Sequence, residues 1–92
     1  MVKRIETYKL GTSVHLSDVI SEPNPDTVTI TIKDSSDIVK IDEATMTKAV
    51  SKVYFYIYQS ATTDNEGDYV ATIEVTKGIY TSLISRAFTL LE

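Results

Sequence analysis

Ninety-two residues are enough for one domain with a single modest core, and too few for two. No cysteine is present, which excludes a disulfide framework and a thiolate metal site. The net charge of −4, with nine Lys plus Arg and acidic residues spread along the chain, leaves no basic stripe for phosphates and argues against a nucleic-acid partner.

Thirteen Thr, ten Ile and nine Val make about a third of the chain β-branched and predict an all-β fold. Residues 3–10 predict a first strand that breaks at Gly11. A second strand covers 13–20 with Val14 and Leu16 on one face, and its alternation loses register near Asp18. Two prolines within Ser21-Glu22-Pro23-Asn24-Pro25-Asp26 mark a turn. In Thr27-Val28-Thr29-Ile30-Thr31-Ile32-Lys33 the period is two throughout, so Val28, Ile30 and Ile32 face the core. Asp34-Ser35-Ser36-Asp37 is a tight turn that returns as a short strand over 38–41. Residues 42–50 mix helix-tolerant and strand-tolerant types and are expected to be mostly loop or short strand.

Val53-Tyr54-Phe55-Tyr56-Ile57-Tyr58 is apolar or aromatic on both faces. Half-buried strands usually alternate with polar residues, so bulky groups on both sides of this one point to a surface that something packs against. Alternation alone would bury Val53, Phe55 and Ile57. A polar connection over 60–67 ends in Gly67, a strand over 68–76 puts Tyr69, Ala71, Ile73 and Val75 on one face, and Lys77-Gly78 turns the chain. Residues 79–91 form a last strand or two, with Phe88 and Leu90 sharing a face.

Asn65-Glu66-Gly67-Asp68-Tyr69-Val70-Ala71 resembles the Asp-x-Gly-x-Tyr-x-Cys segment that opens strand F of immunoglobulin-like domains, with Ala71 in the cysteine's place. The whole order of pieces, from the Thr27–Lys33 strand through the tyrosine run to Phe88-Thr89-Leu90, resembles small immunoglobulin-like proteins of tailed-phage and proviral structural gene clusters. Prokaryotic surface immunoglobulin-like modules share the same short motifs. Lys52, Phe55 and Ile57 depart from the phage pattern, which has Gly before Val-Tyr and polar residues between the tyrosines.

The resemblance implies one immunoglobulin-like or fibronectin-III-like β-sandwich over residues 1–92, of about seven antiparallel strands, with strands A, B and E against C′, C, F and G. It implies a tyrosine corner at Gly67 and Tyr69. It also turns Tyr54, Tyr56 and Tyr58 inward and leaves Val53, Phe55 and Ile57 as the candidate interface, on the sheet that holds the first strands. The alternative is that Lys52, Gln59 or the 42–50 segment covers that face.

The implied function is a non-enzymatic structural or assembly role in a phage-like particle, at the head–tail region or as an accessory component. It would act through a protein partner or self-association via one sheet face, a homodimer being the simplest form. A cell-surface spacer or adhesion module is the competing reading, and a carbohydrate-binding sandwich the third. No cofactor is expected. The chain lacks an apolar stretch for a signal peptide or membrane span, so it is expected to be soluble, cytoplasmic or virion-associated, and extracellular if it is a piece of a longer secreted protein.

Catalytic patterns are weak. His15 with Ser13 and Asp18 makes no triad, because 13 and 15 share a strand face that 18 does not. Asp34 and Asp37 lack a calcium-loop spacing and are expected to be turn residues, as are Glu66 and Asp68 around Gly67.

Overall fold

The structure is a computed structural model and describes residues 6–22, 24–50 and 52–92. Eight strands form two sheets: β1 (Glu6–Lys9), β2 (Ser13–Val19), β3 (Thr27–Lys33), β4 (Val39–Thr45), β5 (Thr47–Val50), β6 (Val53–Gln59), β7 (Gly67–Lys77) and β8 (Tyr80–Leu91). One sheet has the order β1-β8-β7-β3-β4 and the other β2-β6-β5. The fold is therefore an all-β sandwich. Strands β2, β6 and β5 take the places of B, E and D, and β4, β3, β7 and β8 those of C′, C, F and G, in the immunoglobulin-like order.

One element differs from the sequence expectation. The first strand does not join β2 and β6; it pairs in parallel with the end of β8, Glu6 opposite Phe88 and Lys9 opposite Leu91. The part of that strand expected over residues 3–5 lies outside the described residues. The switch is made at Gly11, whose φ of +92° suits glycine and whose amide donates to Ser60 Oγ at 3.0 Å. Residues 42–50, expected as mostly loop or short strand, take the strand alternative. They continue β4 in one sheet and form β5 in the other, and the buried Met46 between them donates its amide to the Val28 carbonyl at 2.9 Å.

The core follows the alternation of each strand. Val28, Ile30 and Ile32 of β3, with Tyr69, Ala71, Ile73 and Val75 of β7 and Phe88 and Leu90 of β8, face Val14 and Ile20 at and beyond the ends of β2 and Tyr58 of β6. At its centre Tyr69 stacks on Phe88, with ring centroids 5.3 Å apart and Tyr58 tilted 6.2 Å away.

Candidate interaction face

Strand β6 turns Tyr54, Tyr56 and Tyr58 to the core, Tyr58 buried and the other two packed against the buried cluster. Val53, Phe55 and Ile57 therefore lie on the outer face, the arrangement the resemblance implied and not the one alternation alone would give. Val53 and Phe55 are half-buried and Ile57 is 52% exposed. The inward tyrosines are not available as a sugar-stacking platform.

Neighbouring strands complete this face. The β2–β6 register sets Val19 opposite Val53, Ser17 opposite Phe55 and His15 opposite Ile57. A register shift in β5 after Lys48 brings Val50 opposite Val53 from the other side. Val19, Val53 and Val50 thus form one apolar row across all three strands, and Val19 and Val50 are 64% and 65% exposed. The His15 ring meets the edge of Phe55 at 5.5 Å and 82°. The other sheet's outer face carries Thr27, Thr29 and Thr31 of β3 beside Thr76, Glu74 and Thr72 of β7. Val70 of β7 and Leu83 of β8 are also exposed, so apolar surface is not confined to the three-stranded side; what marks that side is the alignment of Val19, Val53 and Val50 across its strands.

Val19 and Val50 were missed by sequence reasoning. Val19 follows the point where β2's alternation was lost, and Val50 belongs to the undecided segment. Knowing that β6 is the central strand of a three-stranded sheet would have found both.

The polar residues singled out in the sequence have structural partners. His15 and Ser13 are on the outer face of β2, while Asp18 turns inward and forms an ion pair with Arg86 of β8, so the three do not converge. Asp34 Oδ1 accepts the amides of Ser36 and Ile38, at 2.8 and 2.9 Å, and its Oδ2 accepts Asn65 Nδ2 at 2.9 Å. These bonds, led by the Ile38 amide, outweigh burial and hold its carboxyl below the usual carboxylate range. Asp37, with φ +66°, pairs with Lys33 at 3.8 Å. Asp68 accepts the Thr89 hydroxyl at 2.7 Å, while Glu66 contributes its backbone carbonyl to the Ser35 hydroxyl. Among the described residues no group of three His, Cys, Asp or Glu side chains is gathered around a common point for a metal ion.

Next to this turn is the tyrosine corner. Tyr69 is fully buried, and its hydroxyl donates to the Asn65 carbonyl at 2.8 Å. Gly67, at φ +122°, has no room for a side chain: a Cβ there would fall 2.8 Å from the Ser35 Cβ. Tyr58 donates its hydroxyl to Asp64 Oδ2 at 2.8 Å, and Lys40 Nζ lies 3.2 Å from Asp64 Oδ1. Burial pushes the Asp64 carboxyl up, but the Ala61 amide, the Tyr58 hydroxyl and Lys40 together bring it below its ordinary value. Burial and the nearby Asp64 and Asp34 carboxylates push Tyr69 up to about 12.

A cleft of about 450 Å³ opens beside the β2 edge, lined by Tyr8, His15, Leu16, Arg86 and Phe88 among others. The guanidinium of Arg86 in this lining is already engaged by Asp18. No helix among the described residues is long and apolar enough to cross a membrane.

A scan against protein-family models finds no match, and a search of curated proteins finds no significant similarity.

Proposed function

We propose that this chain is a non-enzymatic structural or assembly protein whose outer β2-β6-β5 face docks onto another protein. The observation that carries this reading is the apolar row Val19–Val53–Val50, continued by Phe55 and Ile57, on one face of a small sandwich whose opposite outer face is rich in threonine. Exposed apolar groups that align across neighbouring strands make a patch, and patches on small domains mark contact sites. The resemblance to phage immunoglobulin-like proteins makes a phage-like particle the proposed setting, at the head–tail region or as an accessory component. The fold alone does not select that role.

The test is incorporation. If portal, terminase or tail genes flank its own, then on co-expression with them purified particles should contain the chain at fixed stoichiometry. Ile57→Lys combined with Val19→Lys should abolish incorporation without lowering the melting temperature by more than a few degrees. Normal incorporation of that variant overturns the reading. A gene lying inside a long secreted reading frame of repeated sandwiches, with no portal, terminase or tail genes nearby, would favour the surface-module alternative.

A further inference from the structure

The outer face of β2-β6-β5 is made by the alternate residues of β2 from Ser13 to Val19, the alternate residues of β6 from Val53 to Gln59, and Thr47 and Val50 of β5. With His15 neutral, none of these side chains carries a formal charge at pH 7, in a chain of which 24% is charged. Lys48 stands opposite the inward-turned Tyr54 and Lys52 belongs to the turn before β6, so both lie at the margin. The other sheet differs. Its outer face carries Lys33 of β3 and Asp68 and Glu74 of β7 among the threonines.

An uncharged face on a chain of net charge −4 selects among partners. A partner that binds through charge, such as a polyanion, a basic protein or an anionic membrane, finds nothing there to pair with, and its own charges would be desolvated without compensation. A second copy meets the face without that cost. An apolar row needs only another apolar row, and the hydroxyls of Ser17 and Thr47 can each donate and accept, so the face is complementary to itself, as a two-fold axis requires. Over the rest of the surface the excess of acidic groups sets two copies against each other. Three strands about 4.8 Å apart, with seven residues of about 3.3 Å rise, give each copy a footprint of roughly 350 Å² before the relief of the side chains is counted. Two copies therefore bury on the order of 1,000 Å², the low end for a specific interface, so the association should be weak.

We infer that the protein docked on this face is a second copy of the chain, packed sheet to sheet as a two-fold homodimer with Phe55 at its centre and the valine row and Ile57 to either side. The inference rests on the reading of this face as a docking surface and names its partner. The dimer is then the unit that enters a particle.

Sedimentation velocity from about 1 µM to about 1 mM, a span that covers weak dissociation constants, tests this. The wild-type chain should pass from monomer to dimer. Ile57→Lys should weaken the dimer at least tenfold, and so should Val19→Lys. Far-UV circular dichroism and melting temperature at the dilute end should be unchanged in both, since each side chain is more than half exposed in the single chain. Ile79→Lys, at the β7–β8 turn and 90% exposed, should leave the dimer intact. Raising salt from about 50 mM to about 500 mM should tighten the dimer, because it screens the repulsion between two acidic chains and meets no ion pair to weaken. In a dilution series followed by amide NMR, the concentration-dependent shifts should fall on β2, β6 and β5. A monomer at the highest concentration overturns the inference. So does a dimer that survives both lysine variants, is dissolved by Ile79→Lys, loosens in salt or shifts chiefly at β3 and β7. Failure of the particle reading is distinguishable: a monomer whose Ile57→Lys, Val19→Lys double variant is lost from particles keeps the docking face and has a different partner. A dimer broken by the same double variant, which particles still incorporate normally, removes the particle reading alone.

Discussion

The hydroxyl of Tyr69 and the carbonyl of Asn65, four residues upstream and 2.8 Å away, fix the chain where it turns out of the 60–66 connection and into β7. Asn65 holds the same loop from its other side by donating its side-chain amide to Asp34. One residue thus joins the loop ahead of β7 to the turn between β3 and β4. Tyr69→Phe keeps the ring in its stack on Phe88 and removes only this bond, leaving a part-buried carbonyl without its donor. The expected cost is about 1–3 kcal/mol. Thermal unfolding should show it as a fall of roughly 4–8 °C per kcal/mol, with association unaffected.

Gly67→Ala should be damaging for two separable reasons, a backbone conformation that alanine disfavours and a clash with the Ser35 side chain. The expected loss is about 1–3 kcal/mol from backbone strain, with the clash in addition. Adding Ser35→Gly relieves the clash but not the strain and also removes the Ser35 hydroxyl's bond to the Glu66 carbonyl. Chemical denaturation of the single and double variants should therefore show partial recovery. Full recovery would mean that φ at this position is unimportant.

Asp34 and Asp64 are both held below their ordinary carboxyl values, so each stabilises the fold when ionised. That contribution is complete above the unfolded carboxyl value of about 3.9 and is lost as pH falls through the lower folded values. Melting temperature should be flat between pH 7 and about pH 5 with respect to these groups and fall below about pH 4. Asp64→Asn should flatten part of that fall. At the alkaline end the sign reverses: Tyr69 is raised to about 12, so its contribution is whole below about 10 and declines as pH rises towards 12. Absorbance titration should show Tyr69 ionising together with unfolding.

Phe55→Ser should cost little folding stability, about 1 kcal/mol for the half-buried ring and its edge contact with His15, while removing binding to a partner on that face. Tyr58→Ser on the same strand should unfold the domain or lower its stability by about 3–5 kcal/mol, since it empties a buried site. Paired denaturation and binding measurements check both. If Phe55→Ser is the variant that unfolds, the two faces of β6 have been interchanged.

Asp18 and Arg86 join the two sheets through an ion pair with limited solvent access. Arg86→Met leaves the carboxylate without its counter-charge and should cost about 2–4 kcal/mol, discounted from a fully buried pair for the residual exposure. Asp18→Leu in addition should restore most of that loss in urea denaturation. A double variant as unstable as the single one would mean that the arginine acts through packing alone.

The legible parts of the fold were those in which local pattern and tertiary demand coincide. Val28, Ile30 and Ile32 are buried as period two dictates, and the tyrosine corner was visible because Gly67 and Tyr69 are required two residues apart by the geometry of one turn. The direction of β6 was legible only through the resemblance, because a strand with bulk on both faces carries no alternation to read. The sequence reading puts β1 with β2 and β6, and the structure puts it beside β8, because its choice of partner depends on Gly11 and on the far end of β8, about eighty residues on. The 42–50 segment reads as loop or short strand alike for a related reason. Lys40, Asp42, Glu43 and Lys48 suit edge strands, which look like loops when their partners are unknown. The same uncertainty concealed Val19 and Val50, which enter the candidate face only through pairing with Val53.

The parallel pairing of β1 with β8 also has a mechanical consequence. Because the two strands run the same way, the leading end of β1 and the trailing end of β8 lie at opposite ends of their shared ladder. Tension drawing those ends apart slides one strand along the other and loads the rungs together instead of peeling them one by one. The seam at the margin of the larger sheet is thereby suited to bear force along the chain.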